Sequence, residues 1–236
     1  MAKFVARRHL DSLTMTSPTG NPVHPMPFVR IELVVLTVQE GALQVLLGRR
    51  ARAPYAGRWA LPGGVLRIDL DDDLDDACLR VARERLGLEL PSATQLCAVG
   101  GRSRDPRAPW ALSVVYRCTA GPGQLAATPG KRMAELKWVE AFDACADTKL
   151  AFDHDDLIDA AVTALQSEVE ALRFSPGLIM EPFTLGDLQA TAEVVLGRSL
   201  DKSSFRRRID AGERVEPVGE EKRTGPFRPA QLFRLR

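Results

Sequence analysis

The sequence predicts an α/β domain with a mixed sheet, followed by a small helical domain that ends in a β-hairpin. Three observations lead to this fold class. Residues 28–173 contain several short apolar segments typical of strands and only a few amphipathic segments typical of helices. After residue 173 a Ser-Pro-Gly turn precedes two short helical patterns and two short strands. From Arg198 onward eleven Lys and Arg residues stand against six Asp and Glu residues, which is expected of an end that meets a polyanion.

The composition is that of a globular chain with reduced thiols. At 236 residues with 45% apolar content, the chain is long enough for two packed domains. Its four cysteines are widely spaced without a C-x2-C pair, which favours free thiols over a disulfide or zinc framework: Cys78, Cys97, Cys118 and Cys145. There is no apolar run near the roughly 18 residues of a membrane span and no signal-peptide core, so we expect a soluble cytoplasmic protein.

The first part of the chain combines a tail, two strands and a basic segment. Residues 1–27 contain four prolines and many small polar residues, which predicts a flexible tail. Residues 28–38 and 43–47 predict two strands joined by a turn. Arg49, Arg50 and Arg52 follow the second strand and precede a Gly-containing loop, where they suit phosphate. An ordinary solvated patch explains the same charges equally well.

Residues 72–87 predict the first helix. Asp72 and Asp73 suit the positive end of its dipole, and Gly87 suits the position after its last turn. Five apolar residues form one face of this helix: Leu74, Ala77, Cys78, Val81 and Leu86.

The remainder of the first domain alternates strands with basic loops. Residues 96–99, 111–118 and 135–139 predict strands. A turn-rich loop before the second of them carries three arginines: Arg102, Arg104 and Arg107. A long helix follows, with Asp153 as its expected N-cap and its last turn near Arg173. His154 is interpreted as a capping or packing residue rather than a catalytic one.

The C-terminal domain, residues 174–236, has the order of a winged helix-turn-helix. Thr184 and Asp201 are expected to cap two helices, which Gly197 and Gly212 are expected to close. Residues 215–218 and 231–235 predict two strands around a polar loop. In this motif the second helix lies in the DNA major groove.

The spacing on the second helix predicts which side chains meet DNA. Phe205 and Ile209 lie four apart and form the buried stripe. The outward-facing set is Lys202, Ser203, Arg206 and Arg207. Arginine suits guanine edges and phosphates. Three basic residues at the tip of the hairpin are expected to grip the flanking backbone: Lys222, Arg223 and Arg228. The alternative is a basic, solvated helix beside an ordinary hairpin.

Residues 63–88 resemble the Nudix box, G-x5-E-x7-R-E-U-x-E-E-x-G-U, where U is a bulky aliphatic residue. Arg80, Glu84 and the pair Gly87-Leu88 match this pattern. Val81 and Arg85 replace two of its glutamates. The loop is two residues longer than the pattern, so the upstream acidic position falls on Asp72.

The two replacements remove the ligands of a catalytic metal. Nudix hydrolases hold Mg²⁺ through carboxylates on one helix face, and positions four apart share a face. Val81 has no ligating atom and Arg85 is cationic, while Glu84 is expected to form an exposed ion pair with Arg80. We therefore predict no metal site and no catalytic residues. The alternative is an unorthodox Mg²⁺ site built from Asp72, Glu84 and Asp69 or Asp71, in a hydrolase with an accessory C-terminal domain or in a dual-function protein.

The whole pattern is similar to the Nudix-related transcriptional regulator (NrtR-like) family. The resemblance runs from about Phe28 to Arg236 and is carried by short segments in order: residues 59–64, the degenerate box, 104–107, 150–154, 183–185, 196–198, 200–207 and 228–230. It implies a Nudix α/β/α sandwich with a mixed sheet, residues 28–173, joined to a winged helix-turn-helix.

The same resemblance implies a function. Such regulators typically repress genes of NAD synthesis and sense ADP-ribose or a related nucleotide, as homodimers on operator DNA with two half-sites and without a required cofactor. The expected effector contacts are Arg49, Arg50, Arg102, Arg104, Arg107 and Glu84. Leu86 stands where the family commonly has threonine. A Nudix-related regulator of a sugar pathway is the further alternative.

Overall fold

The computed structural model describes residues 26–121, 126–143, 150–222 and 230–236, so most of the predicted tail and Cys145 lie outside the described residues. The elements of the first domain are β1 (Phe28–Gln39), β2 (Ala42–Arg50), β3 (Trp59–Ala60), β4 (Gly63–Val65), α1 (Leu74–Leu86), β5 (Ser92–Gly101), β6 (Ala111–Thr119), β7 (Met133–Glu140) and α2 (His154–Glu170). Those that follow are α3 (Leu185–Leu196), α4 (Lys202–Gly212), β8 (Val215–Lys222) and β9 (Ala230–Leu235).

The strands of the first domain form the predicted mixed sheet. β1 is antiparallel to β2 and parallel to β6, and β5 is antiparallel to β6. β3 and β7 pair with β2, and β4 pairs with the first half of β1. The sequence did not predict β3 and β4, because two or three residues are too few to show a periodicity.

The sheet is covered by a helix on each face, as an α/β/α sandwich requires. Successive residues of a strand point to opposite faces. Ile31 and Leu33 of β1 belong to the core under α1, together with Val81. Val34 and Leu36 belong to the core under α2. β1 is therefore buried on both sides, and eight of its twelve residues are buried.

Helix α1 begins and ends where the sequence predicts. The Asp73 side chain accepts a hydrogen bond from the Asp76 amide at 2.8 Å, and Gly87 adopts the left-handed conformation with φ 64°. The predicted apolar face is present, since Ala77, Cys78 and Val81 are buried. This helix end suits glycine, because a side chain at φ near +60° is strained.

Three predicted helix ends differ in detail from the structure. Asp153 precedes α2, but its side chain makes no capping hydrogen bond and pairs with Arg104 instead. That pairing explains the difference, because an ion pair competes for the same carboxylate. Gly212 is the last residue of α4, and Glu213 takes the left-handed conformation with φ 48° in its place. Helix α2 ends at Glu170 rather than near Arg173.

The second domain is the predicted helix-turn-helix with a hairpin. Thr184 and Asp187 form a capping box at α3, and Asp201 caps α4 through the Ser204 amide at 2.8 Å. β8 and β9 pair antiparallel. The tip of the hairpin, with Arg223 and Arg228, lies outside the described residues.

One hydrophobic core joins the two domains. Val162, Leu165 and Val169 of α2 belong to the same buried cluster as Leu188 of α3 and Phe205 of α4. The second domain is thus packed against α2 rather than suspended from a linker. None of the helices in the described part of the chain is long and apolar enough to cross a membrane.

Candidate functional site: an arginine-lined cleft and an exposed basic helix

A cleft lined by arginine opens beside β4 and the C-terminal half of α1. Its cavity of about 30 Å³ is bordered by Arg30, Arg50, Arg52, Ala53, Leu61, Gly63, Val65, Arg85, Arg107, Arg132 and Met133. Six of these eleven residues are arginines. Such a concentration of guanidinium groups in one cleft suits an anionic ligand.

Only two of the six arginines are neutralised within the described part of the chain. Arg30 Nε donates to Glu32 Oε1 at 2.6 Å, and Arg107 Nε donates to Asp105 Oδ1 at 2.8 Å. The other four form no ion pair with a described carboxylate: Arg50, Arg52, Arg85 and Arg132. Their uncompensated charge is the main electrostatic feature of the cleft.

The positive charges in the cleft repel one another. Burial lowers the pKa of Arg50, and the charges of Arg30 and Arg107 lower it further. Burial also lowers the pKa of Arg85, with smaller contributions from Arg132 and other arginines. A bound anion would relieve this repulsion, because an opposite charge favours the protonated form.

Arg85 is held at the edge of the cleft by backbone oxygens. Its Nε donates to the carbonyl oxygen of Gly63 at 3.1 Å, and its Nη1 donates to the carbonyl oxygen of Lys131. Val81, one turn earlier, is fully buried against Gly64, where a Cβ atom would lie 2.6 Å from its Cγ2. The helix face that holds the metal in a Nudix hydrolase therefore presents a methyl surface and a guanidinium.

Three carboxylates in and just before helix α1 are engaged by arginines. Arg80 donates to Asp71 Oδ1 at 2.6 Å and lies 3.6 Å from Glu84 Oε1. The pair predicted between Arg80 and Glu84 is present, but it is half-buried rather than exposed, and Asp71 is the closer acid. Arg67 pairs with Asp69. Among the described residues, no three or more His, Cys, Asp or Glu residues are placed to hold a metal ion, so this donor set does not fit Mg²⁺.

Two aromatic residues stand beside the cleft in a strained conformation. Tyr55 and Phe152 both have φ 60°, which is uncommon for a bulky residue. Their rings meet edge to face with centroids 4.8 Å apart, and the Arg50 guanidinium lies 5.1 Å from the Phe152 centroid. Strain of this kind concentrates at ligand sites, and the rings offer aromatic surface next to Arg50, which has no acidic partner among the described residues.

The start of α2 forms the floor of a second, smaller cavity of about 10 Å³. Arg104 lines it and forms a salt bridge with Asp153. His154 is buried and accepts a hydrogen bond at Nδ1 from the Leu61 amide at 2.8 Å, which is the packing role predicted for it. Burial lowers the pKa of His154 to about 4, and the nearby arginines lower it as well.

The structure brings some of the predicted effector residues together and separates others. Arg50 and Arg107 line the cleft, and Arg104 lines the neighbouring cavity. Arg49 lies outside the lining in an exposed ion pair with Glu135, and Arg102 is exposed on its loop. Glu84 is held by Arg80.

Arg52, the third arginine of the basic segment that suits phosphate, lines the cleft. Three other cleft residues were not predicted as ligand contacts: Arg30, Arg85 and Arg132. Arg30 had a usable signal, because it stands with Glu32 in an otherwise apolar strand and charged residues are seldom buried unless paired. Arg132 gave none, since it belongs to a loop that only the folded chain brings to the cleft.

A second basic surface lies on α4. Lys202, Ser203, Arg206 and Arg207 are all exposed, while Phe205 and Ile209 are buried, as the helical spacing predicts. The side chain of Lys222 lies outside the described part of the structure, as do Arg223 and Arg228. The exposed set occupies the first two turns of the helix, the part that approaches bases in a helix-turn-helix.

Two family models match this chain, and together they cover both domains. A Nudix domain model matches residues 29–161, and a model described as the NrtR DNA-binding winged helix domain matches residues 177–235. A repressor of Acinetobacter baylyi named as ADPR-responsive is 32% identical over 216 residues, which are 90% of this chain and 83% of the relative. The chain belongs to the NrtR family.

Solved structures of the NrtR family have the same architecture. Shewanella oneidensis NrtR complexed with a 27mer DNA is 33% identical with a TM-score of 0.74, over 88% of this chain and 93% of that one. The Nudix domain of the same protein complexed with ADP ribose is 31% identical with a TM-score of 0.57, over 63% of this chain and 93% of that one. The Nudix sandwich and the winged helix are therefore shared with the family.

Proposed function

We propose that this chain is a transcriptional repressor that binds operator DNA through residues 174–236 and releases it when ADP-ribose enters the arginine cleft of residues 28–173. The observation that carries the proposal is the coexistence of two basic surfaces with different shapes. One is a cleft with four uncompensated arginines, and the other is an exposed helix face. The Shewanella and Acinetobacter relatives support both ligands.

The cleft suits a nucleoside diphosphate. A guanidinium group can bind two phosphate oxygens at once. Four arginines of the cleft have no acidic partner to displace among the described residues: Arg50, Arg52, Arg85 and Arg132. Tyr55 and Phe152 supply aromatic surface for an adenine ring. The cavity is far smaller than the several hundred Å³ of a ligand pocket, so the cleft must open when the nucleotide enters. The closed and the open cleft are then two conformations of the protein. ADP-ribose shifts the equilibrium between them, because it binds the open conformation better.

Recognition in this cleft is expected to proceed without hydrolysis. Pyrophosphate hydrolysis requires a metal to neutralise the phosphates and activate water. Val81 and Arg85 supply no oxygen ligand, and Asp71 and Glu84 contact Arg80. We propose that the guanidinium of Arg85 provides a positive charge in place of the ion, and that the protein requires no cofactor.

Helix α4 is the proposed DNA-reading helix. Lys202, Arg206 and Arg207 are solvent-exposed, so they are available to phosphates or guanine edges. Lys222, Arg223 and Arg228 are proposed to hold the flanking backbone, as in other winged helices. A homodimer would place two such helices on two half-sites of one operator. Since ADP-ribose is the part of NAD that remains after nicotinamide is removed, genes of NAD metabolism are the proposed targets.

A hydrolase is the second candidate, and the acid-rich loop before α1 favours it. Asp69, Asp71 and Asp72 lie within four residues of one another. Ligand-induced rearrangement of Arg80 would free Asp71 and Glu84 for a metal ion. Release of AMP from ADP-ribose in the presence of Mg²⁺ at enzyme-like turnover would establish this candidate.

The proposal is tested by a gel shift with the full-length chain. The DNA is a duplex that the protein itself selects from a random-sequence library, and ADP-ribose is added at increasing concentration. We expect the DNA to be released. Operator affinity that no nucleotide changes would refute the proposed sensing role, and duplex DNA left unbound at every salt concentration would refute the repressor role.

A further inference from the structure

Helix α4 carries three consecutive arginines, and the third of them faces away from the other two. Arg208 Nη2 donates to the carbonyl oxygen of Glu170 at 2.6 Å, whereas no described residue accepts a hydrogen bond from Arg206 or Arg207. Glu170 is the last residue of α2, and the carbonyl oxygens of a last helical turn lack partners within their own helix. A guanidinium at this position also suits the negative end of the helix dipole.

Two further contacts attach the same end of α2 to the second domain. The Glu170 carboxylate accepts from Arg198 Nη2 at 2.6 Å, and Gln166 Nε2 donates to the Val195 carbonyl oxygen at 3.1 Å. Phe205 and Ile209 of α4 are buried in the core that α2 also lines. The C-terminal end of α2 therefore contacts α4 directly through Arg208, and it contacts α3 and the turn after it through two further hydrogen bonds.

The opposite end of α2 lies at the arginine cleft. His154, its first residue, accepts from the amide of Leu61, which lines the cleft. Asp153 pairs with Arg104 through Oδ2, and its Oδ1 atom has no hydrogen-bond partner among the described residues. An anion that drew Arg104 away would remove the cation from the Asp153 carboxylate and so change the contacts at the start of α2.

From these contacts we propose that Arg208 is not a DNA contact but a positioning residue, which ties the DNA-reading helix to α2 and so lets the cleft control its orientation. This proposal rests on the proposed function. Helix α2 has 17 residues and spans about 25 Å, and an intact helix moves as one body over that length. A small displacement at Asp153 and His154 is thereby transmitted along α2 to Glu170, and from Glu170 to α4 through Arg208.

The test compares Arg208→Gln with Arg207→Gln in the full-length chain. Affinity for a duplex selected by the wild-type protein is measured at several salt concentrations, with and without saturating ADP-ribose. Loss of one phosphate contact lowers the slope of log affinity against log salt by about 0.9. We expect this reduction for Arg207→Gln and no reduction for Arg208→Gln.

The response of DNA binding to ADP-ribose also distinguishes the two variants, but here Arg208→Gln is the variant expected to change. For Arg208→Gln the ratio of DNA affinities without and with ADP-ribose is expected to fall to about one, while ADP-ribose itself binds as in the wild type. Arg207→Gln is expected to keep the wild-type ratio. Arg208→Lys retains a donor for the Glu170 carbonyl oxygen. The logarithm of its affinity ratio is therefore expected to be at least half of the wild-type value.

Two results would overturn the proposal: a salt slope in Arg208→Gln that falls as in Arg207→Gln, or a full response to ADP-ribose in that variant. If Arg208→Gln does not fold, Arg198→Gln tests the same attachment through the Glu170 side chain, with the same expectations. A wild-type protein whose DNA binding ignores ADP-ribose would refute the sensing function. The salt slope would still decide whether Arg208 contacts DNA.

Discussion

The guanidinium of Arg85 donates a hydrogen bond through Nε to the carbonyl oxygen of Gly63, at 3.1 Å. This contact holds a positive charge at the edge of the cleft, on the helix face where a Nudix hydrolase has a metal ligand. Glu84 and Asp71, the nearby acids, contact Arg80. The surface proposed to bind a diphosphate is thus cationic through the protein itself.

A substitution of Arg85 is expected to weaken nucleotide binding. Arg85→Gln should reduce the affinity for ADP-ribose by about 10- to 100-fold, because a charge-assisted hydrogen bond contributes roughly 1.5–3 kcal/mol. Isothermal titration calorimetry measures this change. Arg83→Gln is the matched control, since Arg83 is on the same helix but exposed and paired with Glu89.

The effect of Mg²⁺ on ADP-ribose binding tests the role of Arg85 more specifically. Wild-type affinity should be equal in EDTA and in Mg²⁺, whereas Arg85→Glu should bind ADP-ribose only when Mg²⁺ is present, because a carboxylate there can ligate the ion. A wild-type protein that loses ADP-ribose in EDTA would contradict the assignment of Arg85.

The basic face of α4 should govern the electrostatic part of DNA binding. Arg206→Gln is expected to lower DNA affinity and to reduce the salt slope by about 0.9 if the side chain contacts one phosphate. Fluorescence anisotropy at several salt concentrations measures both quantities. Arg83→Gln should leave the slope unchanged, and an Arg206 variant with wild-type affinity and slope would remove this residue from the interface.

The burial of His154 predicts a dependence of stability on pH. Its pKa is lowered to about 4 in the folded protein, against an ordinary value of 6.5. Between these values the unfolded chain binds the proton and the folded chain does not. The contribution is therefore fully present above pH 6.5 and is lost as the pH falls toward 4, by at most about 1.4 kcal/mol per pH unit.

Urea unfolding at pH 7 and pH 5 tests this dependence. His154→Gln keeps an acceptor for the Leu61 amide but cannot titrate, so its stability should change less between the two pH values than that of the wild type. Equal changes in the two proteins would show that His154 does not titrate in this range.

The shared core predicts that both domains unfold together. Phe205→Ala should cost about 3–5 kcal/mol, because it removes a buried aromatic ring from the cluster that includes α2 and the sheet. Calorimetry should show one transition in the wild type and a lower midpoint in the variant. Arg207→Ala, an exposed change on the same helix, should stay within about 0.5 kcal/mol. A Phe205→Ala transition that leaves the first domain melting unchanged would show that the cores are energetically separate.

Local sequence signals predicted the elements of this fold well where the physical cause is itself local. Asp73, Thr184 and Asp201 cap helices through amides three residues away, so their role is visible in the sequence. Asp153 has the same local pattern, yet its carboxylate pairs with Arg104, 49 residues earlier. A contact across that separation is decided by tertiary packing, which no local pattern contains.

The residues of the cleft also divide into those that a local sequence pattern reveals and those that only tertiary packing brings together. The loss of box carboxylates at Val81 and Arg85 was visible, because it depends on identity at fixed positions in one helix. The approach of Arg52 and Arg132 to Arg85 was not, because three separate segments of the chain must fold together to create it. Arg49 and Arg102 were predicted from charge alone, and the folded chain places them outside the lining.

The most direct measurement of the central claim is a single titration of ADP-ribose into the complex of the full-length chain with its selected DNA duplex, in EDTA, followed by chromatography of the nucleotide. If binding alone signals, the duplex dissociates and the ADP-ribose is recovered intact. Dissociation only after Mg²⁺ is added, with AMP among the products, would contradict it.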